Sequence, residues 1–232
     1  MYMVDLLKDC LTRRCAVEVH GQGKVIAAIP HSGTGIPMKV FNNVYDTDIL
    51  DDCDIYTDRI YDLDYIVKTN VHRDIIDCNR NENPFRTETF SGRGFMHELT
   101  DEQKAYLMNN VYRPFHNALR DARFVLNGHA MDEHDPMTKE RRPGFCIGHN
   151  CQDTIVEILQ DYLEPLAKEL DTNVSVNYPF EGKKGITKKY NSVLLEVNKG
   201  LYTREKYMAR DDIIKRLNTV IKQAYDELNQ KI

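Results

Sequence analysis

The stretch KVIAAIPHSGTG, Lys24 to Gly35, sets the reading of the fold: five apolar residues stop at Pro30, and a histidine in a loop of small residues follows at once. A short apolar run bounded by turn residues is the pattern of a strand buried on both faces. The run CAVEVHG before it, separated by the turn-like Gly21-Gln22-Gly23, reads as a neighbouring strand. FVLNG at 124–128 repeats the arrangement, a short apolar strand followed by His129. GFCIG at 144–148, VSVNY at 174–178 and SVLLEVN at 192–198 supply three more strands.

Between the strands the period changes. Asp54 to Tyr65 has apolar residues at loosely helical spacing. Asp101 to Leu119 predicts a long helix opened by Thr100 with Gln103 three residues on, a capping box in which each side chain satisfies the other's backbone N–H. Further helices are expected over 152–169 and from Thr203 to the end, with a bend at Pro114. Strands and helices in alternation predict an α/β protein with three layers, a central mixed sheet covered by helices on both faces.

A chain of 232 residues with no low-complexity or linker-like stretch is expected to form one domain, residues 1–232. Hydrophobic residues are 41% and charged residues 29%, with a formal net charge of −5, which argues against nucleic acid as partner. An anionic small molecule is compatible with that charge, because a few arginines in a cleft set the local potential. No apolar run is long enough to span a bilayer, and MYMVDLLKDCLTRRC carries charges throughout, unlike a signal peptide, so a cytoplasmic location is expected. Cys10, Cys15, Cys53, Cys78, Cys146 and Cys151 form no Cys-x-x-Cys pair, which fits reduced thiols and small apolar fillers.

Two imidazoles at the ends of core strands suit a shared metal ion, since strand ends form the cleft of an open α/β sheet. Each alone reads sooner as a loop residue that makes hydrogen bonds than as a ligand, and their shared placement narrows that gap. A hydrolytic metal site also wants a carboxylate, and Asp46, Asp48, Asp51, Asp52, Asp54 and Asp58 all compete for that position. Glu196 lies within an apolar strand, where it needs either a strong partner or a place in a solvated cleft. An outward-facing position on an edge strand is the other reading. His134, in a run of acidic residues, reads as solvent-exposed, and His149 after GFCIG as a residue that either lines the cleft or does not. The lysines at 183, 184, 188 and 189 around Gly185 read as a solvated loop face or a flap over an anionic substrate.

The landmarks Pro30-His31-Ser32-Gly33, Thr57-Asp58-Arg59-Ile60-Tyr61-Asp62, Arg73, Asp77-Cys78-Asn79-Arg80, Tyr112-Arg113-Pro114-Phe115-His116, Gly128-His129-Ala130-Met131, Asn177-Tyr178-Pro179-Phe180 and Leu195-Glu196-Val197-Asn198 occur in one order. In that order the chain resembles the N-formylglutamate amidohydrolase family along nearly its whole length. The resemblance implies a fold related to zinc carboxypeptidases and one zinc ion, bound by His31, Asp54 and His129. Asp54 is preferred for its spacing to Arg59-Ile60-Tyr61-Asp62, with Asp58 and Asp48 as alternatives. It further implies Glu196 as general base, Arg73 as a catalytic cation, and Asn79, Arg80 and Ser32 as substrate-binding residues. The implied reaction is removal of a formyl or short acyl group from an acidic N-acyl amino acid such as N-formylglutamate. Alternatives are another small N-acyl amino acid, peptide or cell-wall amide as substrate, or a metal-poor binding or regulatory protein on the same scaffold. Three positions depart from the family's pattern: Asn127 where Asp is common, Ala130 where Ser is common, and Lys199 where Arg is usual.

Overall fold

The structure is a computed structural model that describes residues 16–46, 52–81, 83–89, 92–205 and 207–232. Cys10, Cys15, Asp48 and Asp51, and the charged N-terminal stretch, lie outside the described residues.

Seven strands form the central sheet: β1 (Val17–Gly21), β2 (Val25–Ile29), β3 (Tyr65–Thr69), β4 (Phe124–Met131), β5 (Phe145–His149), β6 (Val174–Val176) and β7 (Ser192–Asn198), in the spatial order β1-β3-β2-β4-β7-β5-β6. Strands β3, β2, β4 and β7 run parallel, while β1 and the β5-β6 pair lie antiparallel to their inner neighbours. The sheet is therefore mixed, as the sequence pattern predicts. Strand β3 was hidden within the expected 54–65 helix and the segment beyond it. Only Thr57–Ile60 is helical there (α1), and Tyr65-Ile66-Val67-Lys68-Thr69 pairs on both sides.

The alternation of side chains divides the core in two. Val25, Ala27 and Ile29 of β2 face one apolar cluster, and Ile26 and Ala28 face another. Helix α4 (Asp153–Glu169) covers the first face together with α7 (Asp211–Lys231). Helix α7 presents Ile213, Ile214, Leu217, Ile221, Ala224, Tyr225 and Leu228, a stripe at steps of three and four that lies on one side of a helix. Tyr225 also donates its hydroxyl to the Val25 carbonyl at 2.8 Å, and the Asn229 Oδ1 accepts the Val25 N–H at 3.0 Å, which pins the helix to the start of β2.

The second face is covered by the predicted 101–119 helix and its preceding loops. Thr100 and Gln103 form the expected capping box. The helix is not continuous, however: α2 (Asp101–Leu107) and α3 (Arg113–Leu119) are joined by a π-helical turn over Met108–Tyr112. Pro114 has no N–H to place in the ladder, and the wider turn before it re-registers the carbonyls that would otherwise lose a partner. A five-residue helix α5 (Gly185–Lys189) precedes β7, and α6 (Lys199–Tyr202) follows it. The final helix begins at Asp211 rather than Thr203, because β8 (Thr203–Arg204) pairs antiparallel with β9 (Met208–Ala209). No helix among the described residues is long and apolar enough to cross a membrane.

Candidate metal and hydrolytic site

The site is assembled where β2, β4 and β7 carry polar side chains on the face of α2 and α3. His31 follows the end of β2 by two residues. His129 lies inside β4, not beyond it, since that strand continues to Met131. Asp54 is carried by the segment leading into α1, and its backbone N–H donates to the His31 carbonyl at 3.0 Å. Thr57 caps the same turn by donating its hydroxyl to the Asp54 carbonyl at 2.6 Å. All three side chains are buried, and one ligand atom from each lies within 4.8 Å of the others. The Asp54 Oδ2 is central: His129 Nδ1 lies 3.0 Å from it, His31 Nδ1 3.4 Å, and the Ala130 N–H donates to it at 3.2 Å.

The outer nitrogen of each ring is held. His31 Nε2 lies 2.7 Å from Asp77 Oδ1, and His129 Nε2 lies 3.1 Å from both the Asn127 Oδ1 and the Asn79 Nδ2. Asp77 had no role assigned from the sequence. Its signal was local: the carboxylate also accepts the Asn79 N–H at 2.8 Å, the turn that Asp-x-Asn favours. Burial alone would raise the Asp77 carboxyl, yet attraction from His31 and Arg73, with hydrogen bonds from His31 and the Asn79 N–H, holds it far below the usual carboxylate range. Asp54 behaves alike: burial opposes its charge, and His129 and His31 overcome that opposition.

These residues fit a divalent cation. With a neutral His31 donating from Nε2 to the Asp77 carboxylate, its buried Nδ1 keeps a lone pair that has no hydrogen-bond partner and faces the Asp54 oxygen. A protonated ring would answer that oxygen with an N–H; in the neutral ring two lone pairs face one another and repel, and a cation between them turns the repulsion into coordination. Two imidazoles and one carboxylate, with carboxylate and amide partners behind the rings, are also a common donor set for a catalytic metal.

Glu196 lies on β7 as the register partner of His129 on one side and Cys146 of β5 on the other. It is buried, and that burial together with repulsion from Asp54 pushes its carboxyl up to about 7, against the pull of His129, Arg73 and Lys199. The edge-strand reading of Glu196 is thus replaced by an interior one. Lys199, at the start of α6, places its ammonium 2.9 Å from Asp132 and near enough to Asp54 for mutual stabilisation.

Arg73 is enclosed between carboxylates, with Nη2 3.5 Å from Asp77 Oδ2 and Nη1 3.9 Å from Asp54 Oδ1. Arg80 also reaches Asp77, at 3.3 Å, but its side chain is 41% exposed and extends toward solvent. Asn79 directs its amide inward, to His129 and to the Ile186 N–H at 2.9 Å. Ser32 turns its hydroxyl toward the Thr69 carbonyl at 3.5 Å. Asp58, 40% exposed, lies 3.9 Å from Lys68 and is not brought to the histidines. His134 is exposed, and His149 bonds locally, its N–H to Asn177 and its Nδ1 3.4 Å from the Cys151 carbonyl. The small residues after His31 admit backbone rather than ligand: a Cβ on Gly33 would come within 2.3 Å of the Asn70 carbonyl carbon. Among the described residues Cys53, Cys78, Cys146 and Cys151 are free thiols.

Fold and sequence together place the chain among hydrolases that act on amides. It belongs to the N-formylglutamate amidohydrolase family, whose model matches residues 23–203. The fold is that of the N-formylglutamate amidohydrolase of Ralstonia eutropha JMP134, with a TM-score of 0.74 at 16% identity over 94% of this chain and 100% of that one. A gene product of Agrobacterium tumefaciens is similar as well, with a TM-score of 0.66 at 14% identity over 93% of this chain and 96% of that one. No curated protein matches the sequence significantly.

Proposed function

We propose that the chain is a zinc-dependent amidohydrolase that removes the formyl group from N-formylglutamate, or a short acyl group from a closely related acidic amino acid. The observation that carries this reading is the buried meeting of His31, Asp54 and His129, with Glu196 one strand from His129. Family membership supports the choice of substrate.

His31, Asp54 and His129 would hold the zinc ion, which when bound supplies Lewis-acid stabilisation of oxygen charge and lowers the pKa of water. Glu196 takes the proton from the attacking water and delivers it to the leaving amine. A carboxyl raised toward neutrality suits both halves of that transfer, because it accepts and returns a proton at little cost near neutral pH. Arg73 keeps Asp54 and Asp77 ionised and adds positive potential where charge develops on the carbonyl oxygen. Arg80, partly exposed and anchored by Asp77, offers its guanidinium to a substrate carboxylate. Asn79 and Asp77 steady the two imidazoles from behind. The expected setting is the cytoplasm, with a small molecule as partner and neither nucleic acid nor membrane involved.

The test is release of formate and free amino acid by metal-quantified protein from N-formylglutamate, beside N-formylaspartate, N-acetylglutamate and a neutral formyl amino acid. Selective formate release that stops on chelation and returns with zinc supports the reading. A zinc-loaded protein that leaves all four intact overturns the substrate assignment.

A further inference from the structure

His129 presents Nδ1 to Asp54 Oδ2 at 3.0 Å and places Nε2 between two amides, Asn79 Nδ2 and Asn127 Oδ1, each at 3.1 Å. Both amide orientations are dictated by neighbours. The Ile186 backbone N–H can only donate, and it donates to Asn79 Oδ1 at 2.9 Å, so Asn79 turns its nitrogen toward the ring. Asn127 Nδ2 faces that same Asn79 oxygen at 3.5 Å and the Thr187 hydroxyl at 3.3 Å, so Asn127 turns its oxygen toward the ring. One imidazole nitrogen therefore has a donor on one side and an acceptor on the other.

A neutral imidazole carries one proton on one of its two nitrogens. With the proton on Nδ1, His129 donates to Asp54, and its Nε2 lone pair accepts from Asn79. With the proton on Nε2, His129 donates to Asn127, and its Nδ1 lone pair points at Asp54 and toward His31. The second state is the one that can ligate a cation through Nδ1. A carboxylate at 127 would accept only and would serve the second state alone; an apolar residue there would serve the first alone.

We propose that Asn127 and Asn79 are positioning residues that together satisfy both tautomers of His129, so that a divalent cation is admitted by moving one proton within the ring. The N–H bond at Nδ1 breaks with its proton passing to solvent water, and an N–H bond forms at Nε2 with a proton from solvent water, so His129 neither gains nor loses a proton overall. No ring rotation is needed, because each tautomer finds its partner already in place. This inference rests on the metal reading given above.

The test uses the full chain, labelled with 15N, at a pH above the imidazole titration. Ring 15N shifts of His129 report the tautomer before and after saturation with zinc chloride, and zinc affinity is measured by competition with a chromogenic chelator. The expected result is a proton on Nδ1 without zinc and on Nε2 with it. Asn127→Leu should keep the metal-free tautomer and lose zinc affinity by roughly 10–100-fold, the usual effect of removing a partner behind a ligand. Asn127→Asp should hold the proton on Nε2 even without zinc and bind zinc at least as well as the unmodified chain. A merely structural asparagine would not move the tautomer in Asn127→Asp. Zinc bound with an unchanged tautomer in the unmodified chain, a measurement that no misfolded variant can obscure, overturns the proposal alone. Unmodified protein that binds no zinc overturns the metal reading and this inference with it.

Discussion

His129 and Glu196 are directly opposite one another on adjacent parallel strands, and both side chains leave the same face of the sheet. Leu126 and Ala130 on β4, and Leu195 and Val197 on β7, point into the apolar cluster on the other face. The pairing register therefore sets the distance between the proposed metal ligand and the proposed base, and a slip of one residue would turn either side chain into the wrong layer.

Glu196→Gln keeps the size of the side chain and removes its ability to take a proton. Turnover should fall by roughly 10²–10⁴-fold, the usual contribution of a positioned acid-base group, with zinc stoichiometry unchanged. In the unmodified protein the rate should rise with pH along an acid limb at or below about 7, because burial raises this carboxyl while a bound cation would draw it down. Near-normal turnover in the variant removes Glu196 as the base.

His31→Ala should cost the protein its metal, because the Nδ1 that faces Asp54 is lost and the carboxylates of Asp54 and Asp77 are left without an imidazole between them. Metal analysis after dialysis reads the result. Stoichiometric zinc retained in the variant would refute the ligand assignment.

Arg80→Ala and Arg73→Ala should separate. The first removes a partly exposed guanidinium and should raise KM for acidic substrates by roughly 10–100-fold, the worth of a charged hydrogen bond, with little change in stability. The second removes the buried cation shared by Asp54 and Asp77, leaving Lys199 and Arg80 as their remaining cations, and should lower unfolding stability measurably, where Arg80→Ala does not. Unchanged preference for acidic substrates in the first variant would exclude Arg80 from carboxylate recognition.

His116 gives stability a pH dependence. Burial lowers its pKa from 6.5 to about 4, with Lys189 adding repulsion, and its Nδ1 lies 3.0 Å from the Tyr190 hydroxyl. The folded state thus holds the neutral ring, so the unfolded chain binds more protons between those two values. The contribution is fully present above pH 6.5 and is lost as pH falls toward 4, amounting to about 3 kcal/mol in all. His116→Phe, which has no proton to take up, should flatten the denaturant midpoint across that window, whereas an unchanged slope would show that His116 is not its source.

A structural glycine marks the back of the site. A Cβ on Gly128 would come within 2.8 Å of the Tyr61 ring, whose hydroxyl donates to the carbonyls of Leu195 at 2.7 Å and His129 at 3.2 Å. Tyr61 thereby ties β4 to β7 from the face opposite His129 and Glu196, which gives a physical reason for two neighbouring landmarks read from the sequence.

The sequence by itself determined what depends on local order. Apolar runs broken at Pro30 and after Asn198 marked β2 and β7, the Thr100-Gln103 pair marked a helix start, and the ordered motifs identified the family and the polar residues to watch. The sequence did not locate β3, because Tyr65 to Thr69 alternates too briefly to be told from the end of a helix and takes its identity from pairing with β1 and β2. Nor did it reveal the π-helical turn before Pro114 or the pairing of β8 with β9. Among the described acidic residues Asp46, Asp52, Asp54 and Asp58, which look alike in sequence, the tertiary structure brings Asp54 to the two histidines, its backbone tied to the His31 carbonyl. The same holds for Asp77, 46 residues from the ring it supports. Periodicity records which face a residue takes, but the partner of a buried charge is set by distances through space, and those exist only once the sheet has closed around them.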